Sequence, residues 1–217
     1  MRKTRRAARP SSRPAGLPRH LMGSPAATQK RPPARERILI GAEQAFRKLG
    51  LGAARVEDIL AAAGVSRRTF YELFSNKDEV AEALLAHSVA ILVGAARSRT
   101  EGLRSQRARM AGALDVYFEL WQRHGRVIRD LFAESMRPGS RLAVARRQAI
   151  DAVVQFVCAD VEASRKRAID PIVVEHLLLG VEGVLIHHMD ERGLLGLDIK
   201  RLRASVGDLF ERVLAAS

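Results

Sequence analysis

Apolar positions recur along this chain at helical spacing and nowhere alternate as in a strand. Residues 35–48 place Ile38, Ala42, Ala45, Phe46 and Leu49 on one side, and Gly50 ends the run. Val56, Ile59, Leu60 and Ala63 then fall at i, i+3, i+4 and i+7, which predicts a second, shorter helix with one core-facing side. Gly64 stands where a chain leaving a helix takes a left-handed residue, and Ser66 is a natural N-cap for a third helix. A joint this short forces the two helices to cross at a large angle. On the third helix Phe70, Leu73 and Phe74 are expected to pack on Ile59 and Ala63, leaving Arg68 and Glu72 outward, flanked by Thr69 and Tyr71.

That outward face is short, polar and partly basic, and it suits the DNA major groove, where the early residues of a recognition helix meet base edges. Arg68 is the best base reader, because a guanidinium offers two parallel donors to guanine O6 and N7, worth about 1–3 kcal/mol of discrimination. Thr69 and Tyr71 suit a base or a phosphate, and Arg67 the backbone. Glu72 is tolerable near phosphates only if it accepts from a cytosine N4 or pairs with an arginine. The rival reading is a plain αα-hairpin of a helical protein. The flanks favour DNA binding. Residues 35–48 give the two helices a third side, and Ser75 or Asn76, each with an acidic residue three positions on, caps a long helix whose first turn holds Lys77. Backbone N–H groups at such a terminus favour an anion.

These residues together, Arg37-Ile38-Leu39, Ala45-Phe46, Gly50, Val56-Glu57-Asp58-Ile59, Ala63-Gly64-Val65-Ser66, Thr69-Phe70-Tyr71, Phe74 and Lys77, resemble the tetracycline-repressor (TetR) family of bacterial transcriptional regulators. The detailed resemblance covers about residues 33–92; beyond it only length and helical character are shared. It implies that Tyr71 and Lys77 contact DNA, with Arg67, Arg68 and Thr69 as readers and Ser66 at the helix start. Arg55 departs from the family's usual threonine; arginine holds a phosphate but caps poorly.

Further helices are expected at 78–97, 106–124, 126–136, 141–167, 171–192 and 198–216, punctuated by Gly125, Pro138-Gly139, Asp170-Pro171, Gly193 and Gly196. The fold class is all-α: a three-helix DNA-binding head over 33–92, joined through the 78–97 helix to a ligand-binding and dimerisation body over 93–217. The last two helices are apolar on more than one side, so a second buried surface is expected. Leu177, Val181, Val184, Leu185, Leu202, Val206, Leu209, Phe210 and Val213 resemble the family's dimer-forming pair, with Gly180 and Gly183 permitting close approach. The rival is a monomer with a buried C-terminal hairpin. A homodimer would double the readers on a two-fold operator. The body resembles a ligand-binding domain, with Met110, Leu114, Phe118, Trp121, Phe132, Met136, Phe156 and His176 as candidate lining, although such positions also fill ordinary cores. Trp121 leads because a buried indole N–H needs a partner. Arg146 and Arg147 suit an anionic effector, or else simply a wet surface. The resemblance therefore implies a dimeric regulator, a repressor released from its operator by a small molecule of unknown identity. An activator, a ligand-independent regulator or a helical binding protein with a vestigial head are the alternatives.

Charge sharpens this picture by its location. The chain carries a net +13 over 217 residues, but residues 1–37 hold eleven Lys and Arg against the single Glu36, which leaves the remainder only mildly basic. Residues 1–32, rich in proline and poor in apolar residues, are expected to be a disordered basic tail: either an arm adding non-specific DNA affinity or a solvated leader preceding a start at Met22. The leader lacks the apolar stretch of a signal peptide. No later stretch reads as apolar over the roughly 18 residues of a membrane span. With Cys158 alone, a cytoplasmic protein without an internal disulfide is expected. Cys158 reads as a small buried residue rather than a redox sensor. His187 and His188 diverge by about 100° on a helix and cannot chelate together, while His87, His124 and His176 have no ligand partner at metal spacing. No cofactor, metal site or catalytic constellation is expected.

Overall fold

The computed structural model describes residues 31–165, 168–190, 193–194 and 198–216. The expected basic tail, up to residue 30, lies outside these, as do residues 191–192 of the expected penultimate helix. Among the described residues the chain is all-α, with eight helices: α1 Ala34–Leu49, α2 Val56–Ala63, α3 Arg67–Tyr71, α4 Lys77–Thr100, α5 Gln106–Ser135, α6 Leu142–Arg165, α7 Pro171–His187 and α8 Ile199–Ala216. A two-residue hairpin interrupts the helical plan between α7 and α8. Its strands β1 Met189–Asp190 and β2 Gly193–Leu194 pair antiparallel, Met189 opposite Leu194. The penultimate helix accordingly ends at His187, short of the expected 192.

Local chemistry explains the boundaries. Gly64 takes φ 60°, ψ 43° and closes α2. The Ser66 side chain accepts from Thr69 N at 3.1 Å, and Asn76, rather than Ser75, caps α4 by accepting from Glu79 N at 2.9 Å. Glu79 reaches back to Ser75 N at 2.7 Å, and this bond holds its carboxyl below the ordinary value. Arg55 does not cap α2 through its side chain; the Asp58 carboxylate accepts from Arg55 N at 2.8 Å instead. Asp170 Oδ1 accepts from Ile172 N at 2.9 Å, with Pro171 in the first turn of α7.

Two expectations about α4 and α5 are corrected. The break at Gly125 does not occur: α5 runs unbroken for 30 residues. A glycine inside a helix costs about 1 kcal/mol against alanine, and here it creates space, since a Cβ on Gly125 would overlap the Met189 methyl. Conversely, α4 has a mean hydropathy of 1.5 over an 18-residue window and is long and apolar enough to cross a membrane by those measures. Its apolarity is not confined to one stripe because it packs on α1 at one end and on α5 and α6 along its length, burying Val80, Ala81, Leu84, Leu92 and Ala96.

The head's core unites Ile38, Ala42, Phe46, Ile59, Phe70, Phe74 and Val80 with Val127 and Leu131 of α5 and Leu142 of α6. Gly41 allows α1 and α2 their close approach; a Cβ there would lie 2.7 Å from Ala63 N. The body's core joins Met110, Leu114, Phe118 and Trp121 of α5 to Leu185, Met189, Val206 and Phe210.

Candidate nucleic-acid interface and effector cavity

The turn between α2 and α3 is fixed from behind. Arg37 Nη1 donates to Gly64 O at 2.8 Å, and Arg31 Nη2 reaches the same carbonyl at 3.1 Å. Phe70 is fully buried and meets the Tyr71 ring edge-on at 5.3 Å between centroids, so the rest of α3 is presented outward. The Arg68 side chain is 89% exposed, and its Nε donates to Glu72 Oε1 at 2.9 Å. The donor that Glu72 needed is therefore intramolecular. Arg67 pairs with Glu57 of α2 at 2.6 Å, Tyr71 is half exposed, Thr69 is partly covered beside Ser66, and Arg55 is exposed.

Leu73 does not join the core. Helix α3 stops at Tyr71 and the chain turns, with Leu73 N donating to Phe70 O at 2.9 Å. That turn leaves Leu73 38% exposed. Lys77 has an occupation besides the one expected: its ammonium donates to the carbonyls of Leu51, Gly52 and Ala54 at 2.8, 3.2 and 2.9 Å. It gathers the α1–α2 loop under the start of α4, a role its partners 23–26 residues away made invisible to local pattern.

Within the body lies a cavity of about 60 Å³. Its accessible wall is wholly apolar. α4 contributes Leu92, Val93 and Ala96, α5 Met110, Ala113, Leu114 and Tyr117, and α6 Val153, Phe156 and Val157. Val174, Leu178 and Val181 of α7 and Val206 and Phe210 of α8 close it. Of the expected lining, Met110, Leu114 and Phe156 are there. Phe118 and Trp121 are core residues on other sides of α5, each 2% exposed. Phe132 lies outside the cavity beneath the Arg146 guanidinium, 4.0 Å from its centroid. Met136 is 68% exposed beyond the end of α5. His176 is exposed, its Nδ1 2.6 Å from Ile172 O.

Tyr117 was not foreseen. Its phenol is buried beside Glu182 and accepts from Trp121, and burial pushes its pKa far up. Burial also pushes the Glu182 carboxyl up, against the pull of Arg146, which donates to it at 2.7 Å. Arg147 is likewise paired, with Glu175 at 2.6 Å, so neither arginine faces the cavity unpaired. Cys158 is half-buried with its thiol pKa raised by burial, Asp170 and Glu162, the opposite of a reactive thiolate.

The expected dimer-face residues divide. Leu185, Val206 and Phe210 are buried within the chain. Leu177, Val181, Leu202 and Val213 are partly buried against the same cores. Val184 and Leu209 are 39% and 46% exposed, and Gly180 and Gly183 face open space.

Residues 38–84, the segment that builds this head, match the family model for bacterial regulatory proteins of the tetR family. The HTH-type transcriptional activator FasR of Mycolicibacterium smegmatis (strain ATCC 700084 / mc(2)155) is 29% identical over 141 residues, spanning 62% of this chain and 64% of that protein. Over the segment 38–84 the chain is thus similar to bacterial regulatory proteins of the tetR family. Solved structures share the fold of this chain. A transcriptional regulator from Saccharomonospora viridis in complex with choline aligns at TM-score 0.65 and 20% identity, over 82% of this chain and 95% of its own. FadR of Bacillus subtilis in complex with stearoyl-CoA aligns at TM-score 0.65 and 16% identity, over 80% and 95%.

Proposed function

We propose that this chain is a tetR-family regulator, a homodimer that binds a palindromic or nearly palindromic DNA operator through α3. An apolar small molecule entering the body releases it, so that it acts as a repressor in the bacterial cytoplasm. The observation that carries the reading is the contrast within α3: Phe70 fully buried, the Arg68 side chain 89% exposed. Arg68 reads a base edge, Thr69 and Tyr71 contact a base or phosphate, and Arg55, Ser66 and Arg67 lie toward the backbone. Lys77 supports the loop that carries Arg55. Residues 33–92 serve as the head, 93–217 as the body, and 1–32 as a basic arm adding salt-sensitive affinity.

The dimer reading draws support from the exposed Val184 and Leu209 and the open Gly180 and Gly183 on the last two long helices. The cavity walls favour a hydrocarbon chain. A quaternary ammonium needs aromatic faces and usually a carboxylate, whereas here Tyr117, Phe156 and Phe210 are the only aromatic members of the lining and no carboxylate joins them. Stearoyl-CoA in the Bacillus subtilis neighbour has the matching chemistry. Entry of such a chain must part the walls of so small a cavity, and release follows if the parted state spaces the heads wrongly for successive major grooves. That FasR is a transcriptional activator favours a second sign of regulation, in which the same head recruits rather than blocks. Nothing in the described site has the form of a catalytic centre, and binding is its proposed task.

Selection of genomic fragments by the purified protein, beside an Arg68→Ala, Tyr71→Ala control, tests the reading. An enriched two-fold-symmetric site lost in the control is expected. Equal enrichment in both would overturn it.

A further inference from the structure

Head and body meet at a second place besides α4. Halfway along α5, His124 Nδ1 lies 3.2 Å from Glu43 Oε1 on α1, with only 10% and 14% of the two side chains exposed. The same Glu43 oxygen receives Arg47 Nη1 at 3.3 Å. His124 Nε2 is buried without a hydrogen-bond partner among the described residues, so Nδ1 alone fixes the ring, and an ionised Glu43 requires the proton to sit there. One residue on, the missing Cβ of Gly125 is replaced by the Met189 methyl. Met189 opens β1, directly after the turn that ends α7, and its carbonyl accepts from Arg129 Nη1 at 3.3 Å. Helix α7 carries Val174, Leu178 and Val181 of the cavity wall. At this level α5 is clamped between the head's first helix and the segment leaving the cavity, and one turn further it sends Val127 and Leu131 into the head's core.

We infer that Glu43 and His124 are positioning residues: backed by Met189 in the notch at Gly125, the pair sets the angle of the head on the body, and so the separation of the two α3 helices on DNA. This rests on the dimeric DNA-binding reading. The pair is placed for orientation rather than for holding either unit together. Each of its helices is complete without it, and the apolar contact between head and α5 is made by Val127 and Leu131. A directional bond between two bodies, with one partner ring otherwise unheld, adds an angular constraint to the apolar packing of Val127 and Leu131.

The test uses the full chain and a selected operator whose half-sites are moved apart or together by one and two base pairs. Wild type, His124→Leu, His124→Asn and Glu43→Gln are compared by affinity. Wild type is expected to lose about tenfold per altered base pair, because the heads no longer meet successive grooves. In His124→Leu that penalty falls to about threefold or less, while base preference within each half-site stays unchanged. His124→Asn, whose amide N–H stands near the place of Nδ1, recovers most of the wild-type penalty. A spacing profile in His124→Leu equal to wild type, or an asparagine variant no different from leucine, would reduce the pair to ordinary packing and overturn the inference. If His124→Leu melts below the assay temperature, Glu43→Gln, isosteric and weaker in the bond, carries the same comparison. A wild-type protein indifferent to spacing would instead overturn the dimeric operator reading, and the positioning role with it; a spacing preference that the variants share overturns the positioning role alone.

Discussion

Head and body are both helical, yet they are packed on different principles. In the head, Ile38, Phe46, Ile59 and Phe70 have no exposed surface, and α1 and α2 approach so closely that position 41 has no room for a methyl group. The body keeps an apolar cavity and ties its helices with side-chain ion pairs: Arg109 with Asp160, Arg146 with Glu182, Arg147 with Glu175 and Arg203 with Asp115. Walls around an apolar cavity have fewer protein dispersion partners than a close-packed core and yield more readily. On the proposed function, the rigid part is the one whose geometry must match a fixed polymer, and the compliant part is the one that must admit a guest.

Substitutions can break this contrast, and the largest effect is expected in the body. Arg146→Ala leaves Glu182 buried and uncompensated, which costs about 3–5 kcal/mol; thermal unfolding should show it, and a Glu182→Gln second change should recover part. Gly41→Ala attacks the head instead. Overpacking against the Ala63 backbone costs about 1–3 kcal/mol, read as a lower melting temperature together with lost operator binding. Arg68→Ala touches neither core. It should leave melting unchanged and remove about 1–3 kcal/mol of discrimination at one base pair per half-site, measured by competition among operator variants. Smallest is Glu79→Gln. The carboxyl is held low by Ser75 N–H, so its contribution, about 0.3–1 kcal/mol at a helix N-terminus, is full above the ordinary carboxylate range and lost as pH falls through and below it. Wild type and variant should therefore differ in stability at neutral pH and converge in acid.

The head was legible because its signals are local. Gly64, Ser66 and Asn76 act within four residues of themselves, and the spacing of Val56, Ile59 and Ala63 names its own face. What sequence missed is tertiary. Gly125 carries the signature of a helix stop, and only Met189, 64 positions away in the chain, reveals it as a seat. The sides of α5 could not be ranked, because Tyr117 faces the cavity while Phe118 and Trp121 fill core, a choice made by α7 and α8. Leu73 and Met136 lie one or two residues beyond the ends of their helices, where periodicity no longer says which way a side chain points. Gly41 gave no signal at all, since a small residue on a helix looks the same whether or not another backbone lies against it.

The residues that complete the head's core lie far along the chain. Val127 and Leu131 on α5 and Leu142 on α6 form part of its floor, so the unit that reads DNA is discontinuous in sequence. A chimaera that joins residues 31–92 to a foreign body would inherit the reading face and leave that floor behind. If the proposed function holds, exchange of operator specificity is expected to succeed by transplanting the outward side chains of α3, or by carrying the α5–α6 corner along with the head, because a cut near residue 92 divides one packed core in two.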